Sequence, residues 1–205
     1  MKRDIITEIT AIKSRTEFNS RHDLSRINDI EYAVSEYLTY NGDFDSEFIK
    51  YIPISTVACF EAFFRSVYKE MIDLGKPFSA NAIKFNQSKN IKFDFDIVNA
   101  IQNKTVTAGE FISHILPCNN FEDINSNLST LAGIDFTDQI KSFKRKSVFE
   151  HVNENTDKFI QDSEQIIMDV KRTFELRHIF CHEFATNFKI DRDEILDVLI
   201  TLKYF

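Results

Sequence analysis

The stretch ISTVACFEAFFRSVY, residues 54–68, decides the fold class because it is apolar on nearly every side. A helix that is hydrophobic all round has to be buried by other elements on all sides. We therefore expect a central core helix that begins near Ser46 or just after Pro53 and ends before Gly75. The chain has 4 Gly and 3 Pro in 205 residues. Because these residues commonly form turns and interrupt helices, their small number favours further long helices.

Helical spacing of apolar residues continues on both sides of this core helix, and no strand-length alternation competes with it. Polar residues interrupt the spacing at 79–96, which predicts a loop or a short extended insertion. The sequence predicts a single all-α domain over 1–205, with an N-terminal helical extension at 1–50 and a core at 53–205. The helices around the core helix are expected at 4–12, 23–40, 96–101, 107–116, 121–131 with Gly133 as its C-cap, 135–149, from about 155, and from 191.

The charge of the chain limits how it could bind nucleic acid. A formal net charge of -7 argues against binding through overall charge, although it leaves room for a local basic site. The densest positive run lies at 141–146 and contains Lys141, Lys144, Arg145 and Lys146. A charge run of this kind favours a solvated helix face over an RNA-binding patch, and both interpretations stay open.

Cysteine usage and hydropathy indicate the compartment. The three cysteines, Cys59, Cys118 and Cys181, lack metal or disulfide spacing, and their odd number without a secretory leader indicates reduced thiols. No apolar stretch reaches the roughly 18 residues that a membrane span requires. We expect a soluble cytoplasmic protein with no membrane partner.

The segment TFELRHIFCHEF, residues 173–184, concentrates titratable groups within apolar sequence. On a straight helix His178 and His182 share a face, whereas Arg177 and His182 point about 140° apart. Arg177 and His182 could serve one site if the helix breaks between them. They could also do so if a second copy of the chain supplies the missing half across a two-fold axis.

Less specific interpretations of the same segment remain. The spacing of His178 and His182 could bind zinc with outside ligands, but the glutamate of a His-Glu-x-x-His motif and a third-ligand cluster are missing. We therefore predict no metal and no cofactor. Cys181 could be a small core residue, and Arg177 could instead satisfy a buried carboxylate such as Glu61.

The residues from Arg177 to His182 form an R-x4-H pattern with a polar residue after the Arg, and the pattern resembles that of HEPN domains, an all-α superfamily. The sequence context is similar too: Phe174-Glu175-Leu176 precedes the motif, residues 55–68 resemble the family's first core helix with its internal Glu61, and residues 121–136 resemble the segment between them. The resemblance covers roughly 53–205. In one branch of the family, adenylylation of a Tyr two residues after the His silences the protein. This chain has Phe184 at that position and so differs from that branch.

The resemblance implies a helical bundle, here with additional N-terminal helices and a polar insertion, that forms a homodimer with the motif helices facing each other. It also implies a metal-independent endoribonuclease site in the shared cleft, as in toxins with a partner antitoxin or in phage-defence proteins. Some members of the family only bind nucleotides. The alternatives for this chain are a nucleotide- or RNA-binding module that does not cleave, and a dimerisation protein whose Arg and His are structural.

Cleavage of RNA through its 2'-hydroxyl needs a base, an acid and positive charge for the crowded phosphorane. Histidine suits proton transfer near neutral pH, and the planar guanidinium of Arg binds two phosphate oxygens. We assign proton transfer to His182 and phosphate binding to Arg177. His178 is expected to orient His182 or the phosphate, and Glu61 to support Arg177. The expected products are a 2',3'-cyclic phosphate and a 5'-hydroxyl.

Overall fold

The computed structural model describes residues 4–16, 28–30, 32, 35–36, 39, 47–89, 91–142, 163–182, 194–195 and 198. Within these residues every regular element is a helix and no strand occurs, which confirms the predicted all-α fold class. The elements are α1 (Ile5–Thr16), a 3-10 turn (Glu47–Lys50), α2 (Tyr51–Asp73), α3 (Phe78–Ala82), α4 (Lys84–Lys89), α5 (Phe95–Gln102), α6 (Ala108–Ile115), α7 (Phe121–Ala132), α8 (Phe136–Ser142) and α9 (Ser163–His182). None of the helices in these ranges is long and apolar enough to cross a bilayer.

Most of the predicted helices are present. The described residues within 23–40, and residues 194, 195 and 198 of the last predicted helix, are helical. The predicted C-cap Gly133 ends α7 with a φ of 73°, in the left-handed region that glycine adopts without a steric penalty. Parts of two predicted helices, residues 143–149 and 155–162, lie outside the described residues.

Helix α2 contains the apolar stretch at 54–68. One side of it is buried at a spacing of four residues, by Ile52, Thr56, Phe60, Phe64, Tyr68 and Ile72. Ala58 and Ala62 are exposed, so the prediction that this helix is buried on all sides is wrong. It begins at Tyr51, between the two starts that the sequence predicted, with Pro53 inside its first turn. A proline is tolerated there because the first-turn N–H groups have no acceptor within the helix. The helix ends before Gly75, whose φ is 88°.

Residues 1–23 and 61–136 form one compact unit, and residues 24–60 and 137–205 form a second. The single-domain assignment over 1–205 stays a prediction. The same holds for the division into an extension at 1–50 and a core at 53–205.

In the first unit, α1 is joined to α6 by an ion pair and by a hydrogen bond between a histidine and a carboxylate. Lys13 Nζ lies 3.1 Å from a Glu110 carboxylate oxygen, and His114 Nε2 lies 2.9 Å from Glu8 Oε2. Glu110 also accepts from the backbone N–H of Thr107, while its own N–H donates to the Thr107 hydroxyl. This capping box fixes the start of α6, as residues 107–116 predicted.

The prediction of a loop or extended insertion at 79–96 is wrong, because α3 and α4 occupy much of this range. Tertiary contacts explain the helices where the local pattern does not. Ala82, Phe85 and Ile91 are 5%, 2% and 8% exposed, and the Asn81 side chain donates to the Leu131 carbonyl oxygen at 2.9 Å. Burial of three apolar residues and one long-range hydrogen bond outweigh the weak helix propensity of the Asn and Ser residues between them.

The second unit holds α9, which is buried on two opposite sides. Phe174 stacks on Phe60 with ring centroids 6.3 Å apart. Leu176, turned by about 160° from Phe174 around the helix, is fully buried. It belongs to an apolar cluster made of Ile49, Ile52, Leu176, Ile195 and Val198, with Ile30 and Phe180 partly buried against it.

An ion pair fixes the flank of α9. Arg172 Nε donates to Glu194 Oε1 at 2.6 Å, and Nη1 donates to Glu175 Oε2 at 3.1 Å. Burial alone would lower the pKa of Arg172, but the two carboxylates more than offset it and raise the pKa. Together with the apolar contacts, this pair gives α9 a fixed position within its unit.

Candidate active site

Helix α9 is continuous from Ser163 to His182 and therefore passes through Arg177 without a break. The alternative in which the helix breaks between Arg177 and His182 is excluded by this observation. The two residues lie about 140° apart around the helix axis. A single copy of α9 does not direct both side chains to the same point.

Arg177 lies on a core-facing stripe of α9. Val170, Thr173 and Phe174, which are seven, four and three residues before it, are all buried, and Arg177 itself is half-buried. Residues with these spacings share one face of a helix. Arg177 thus extends the buried stripe by one turn, and its aliphatic stem can cover apolar surface while the guanidinium reaches farther out.

His178 and His182 lie on the exposed side of the last helical turns. Both are exposed, and their ring centroids are 5.1 Å apart with an interplanar angle of 48°. This confirms that the two residues share a face. Their exposure leaves both imidazoles accessible to a molecule in solution, as proton transfer to a substrate requires.

Three other residues of the motif differ in exposure. Cys181 is exposed, so the interpretation of Cys181 as a core residue is wrong. Phe180 is partly buried against the apolar cluster of its own unit, and Ile179 is half-buried. The exposed thiol is a feature that sequence reasoning missed.

The predicted supporting residue Glu61 and the predicted RNA-binding residues lie either on helices other than α9 or outside the described residues. Glu61 is half-buried on α2, and its role beside Arg177 stays a prediction. Lys141 is in the last turn of α8, where its Nζ lies 2.9 Å from Glu164 Oε1 on the surface. This pair partly offsets the charge of Lys141 and favours the solvated-face interpretation. The other members of the basic run, Lys144, Arg145 and Lys146, lie outside the described residues.

Among the residues that the structure describes, no three His, Cys, Asp or Glu side chains converge as a ligand set for a metal ion. All three cysteines are free thiols: Cys59 is half-buried, Cys118 is buried and Cys181 is exposed.

No family model, curated protein or solved structure matches this chain. The likeness to HEPN domains therefore depends on the residues of the motif and their sequence context.

Proposed function

We propose that the chain is an endoribonuclease of the HEPN type that cleaves RNA without a metal ion and acts as a homodimer. The observation that carries the proposal is the unbroken α9, which holds Arg177 on a half-buried stripe and His182 on an exposed face about 140° away. Arg177 of one protomer and His182 of its partner are then the complementary halves of one site.

The chemistry divides between the two side chains. Arg177 binds two non-bridging phosphate oxygens and neutralises charge that grows as the 2'-oxygen attacks phosphorus. His182 transfers a proton, either from the attacking 2'-hydroxyl or to the departing 5'-oxygen. His178, with its ring one turn away on the same face, orients His182 or the phosphate. Glu61 supports Arg177.

The biological role that fits this activity is that of a toxin or a phage-defence effector, held in check by an antitoxin or another partner protein. RNA is the substrate, and no cofactor takes part. The site's exposed histidines and half-buried arginine support a surface cleft between copies of the chain as its location.

The test is cleavage of single-stranded RNA by the purified full chain in EDTA. Arg177→Ala and His182→Ala are each expected to lose at least about 100-fold in rate, because each removes a transition-state charge or a proton-transfer group. His178→Ala is expected to lose less. Met168→Ala is the matched control, since Met168 is 61% exposed on the same helix and has no role in the site.

The substrate gives an independent readout. RNA with a 2'-deoxy or 2'-O-methyl group at the cut site should resist, because it lacks the attacking hydroxyl. Cleavage that requires added Mg²⁺, or that continues on the 2'-deoxy substrate, would contradict the mechanism. RNA binding without any cleavage would favour the binding module, and loss of folding in Arg177→Ala without a specific loss of activity would favour a structural arginine.

A further inference from the structure

The imidazoles of His178 and His182 form a pair whose geometry suits a shared metal ion. Both rings are exposed, one turn apart, and their centroids are separated by 5.1 Å. The sequence spacing predicts that the two histidines share a face, and the structure adds their exposure and the ring separation.

A metal ion that is bound by both rings restricts the distance between their centroids. With metal–nitrogen bonds of about 2.0–2.1 Å and ring nitrogens about 1.2 Å from the ring centre, the ion lies about 3.2 Å from each centroid. For nitrogen–metal–nitrogen angles of about 90–109°, the centroids are then roughly 4.5–5.3 Å apart. The observed separation falls within this interval. The soft ring torsion of histidine lets one nitrogen of each ring turn toward a common ion without moving the backbone.

The helix that carries the pair is held in place before any ion binds. Five residues of α9 are buried: Ile167, Val170, Thr173, Phe174 and Leu176. Because the backbone that carries both histidines is already fixed, less conformational entropy is lost when the ion binds. A two-ligand site is therefore more favourable on this helix than it would be with the same residues on a loop.

We propose that His178 and His182 bind a transition-metal ion such as Zn²⁺, Ni²⁺ or Cu²⁺, and that this ion inhibits the nuclease. The inhibition rests on the proposed function, because a His182 nitrogen that is bound to a metal cannot accept or donate a proton. The binding itself does not depend on that function. Among the described residues, no third His, Cys, Asp or Glu side chain converges with the pair.

The ligand types set the order of affinities. Two neutral imidazoles should bind Cu²⁺ most tightly, followed by Ni²⁺ and Zn²⁺. Mg²⁺ and Ca²⁺ should not bind, because these hard cations select oxygen ligands.

The binding test is calorimetric titration of the chelator-treated full chain with ZnCl₂ and NiCl₂. We expect one ion per chain and at least a tenfold loss of affinity in both His178→Ala and His182→Ala. Cys181→Ser is the matched control: it changes a potential ligand in the same turn and should keep the affinity. Equal affinity in the histidine variants, loss of binding in Cys181→Ser, or no heat with either ion would overturn the proposal.

The inhibition test uses the cleavage assay. Zn²⁺ should suppress cleavage by the wild type and by Cys181→Ser, and EDTA should restore it. His178→Ala should keep part of its activity and lose its sensitivity to Zn²⁺. If Zn²⁺ still inhibits cleavage by His178→Ala, the proposal that the metal bound at this site inhibits the nuclease is wrong. If the wild type never cleaves RNA, the proposed function fails, and the calorimetric comparison alone still decides the metal site.

Discussion

Tyr68 is a residue whose acid–base behaviour is strongly changed by burial. It is fully buried on α2, with Cys118 and the Asn127 amide beside it, yet among the described residues its hydroxyl makes no hydrogen bond of acceptable geometry. Burial raises the pKa of Tyr68 far above its ordinary value of 10.0, and burial also raises the pKa of the Cys118 thiol. Both groups are therefore held in their neutral forms inside the first unit.

These shifts predict a loss of stability in alkaline solution. Above pH 10 the unfolded chain releases the phenolic proton while the folded chain keeps it, so the unfolded state binds fewer protons. The free energy of unfolding should then fall by up to about 1.4 kcal/mol per pH unit from this group alone. Cys118 acts in the same direction from its ordinary value of 9.0 upward.

Urea denaturation at a series of pH values between neutral and alkaline measures this slope. Tyr68→Phe is the matched variant, because it keeps the ring and removes the titrating hydroxyl that lacks a partner. Its free energy of unfolding should fall less steeply than that of the wild type above pH 10. The same slope in both proteins would mean that Tyr68 titrates normally in the folded state.

The positions of some candidate site residues on α9 followed from the sequence, and others did not. The shared face of His178 and His182 follows from four-residue spacing and was correct. The half-burial of Arg177 could also have been inferred, because Val170, Thr173 and Phe174 precede it on the same stripe. The exposure of Cys181 could not, since helical spacing places it near His178 without showing that this face is exposed.

At the scale of elements, α2 holds α6 at both ends. Arg65 Nη1 donates to the carbonyl oxygens of Ser113, His114 and Leu116 at 2.7, 3.0 and 3.1 Å, at the C-terminal end of α6. At the other end, an Asp73 oxygen accepts from the Gly109 N–H at 3.0 Å. A cation at the C-terminus and a carboxylate at the N-terminus both complement the helix dipole.

Gly109 lets α6 approach α2 this closely. A Cβ at this position would lie 2.4 Å from the Lys69 carbonyl oxygen and 2.6 Å from Asp73 Oδ1. We predict that Gly109→Ala lowers the free energy of unfolding by about 2 kcal/mol or more, because the backbone of α2 cannot move aside without repacking the core.

Gly75→Ala is the control for this prediction. A Cβ at Gly75 meets nothing within 4 Å, but its φ is +88°, so the substitution tests backbone strain alone and should cost about 1 kcal/mol. Urea denaturation of both variants gives the comparison. A Gly109→Ala protein as stable as the wild type would contradict the close packing of α6 on α2.

The helices with strong local signals were predictable, and those that depend on distant contacts were not. Thr107 with Glu110 and Gly133 mark the ends of α6 and α7 in the sequence itself. By contrast, α3 depends on the bond from Asn81 to the Leu131 carbonyl, 50 residues away, which no local pattern encodes. Polar composition alone therefore gave the wrong prediction for 79–96.

In the proposed function, the whole molecule is a dimer of a chain whose formal net charge is -7. Charge of this size disfavours unspecific association with RNA, so the proposed function requires a local arrangement of positive groups such as Arg177. A two-fold axis repeats that arrangement and places two such sites in one dimer. Purified protein that is monomeric at micromolar concentration in light scattering would count against this assembly.

Mixing two inactive variants tests whether Arg177 and His182 act together across a dimer interface. Arg177→Ala and His182→Ala are co-expressed with different affinity tags, the heterodimer is purified through both tags, and its RNA cleavage in EDTA is measured. In a site that joins Arg177 of one protomer to His182 of its partner, one of the two sites in the heterodimer is intact, so about half of the wild-type rate should return. A heterodimer that forms but is as inactive as either variant homodimer would contradict the account.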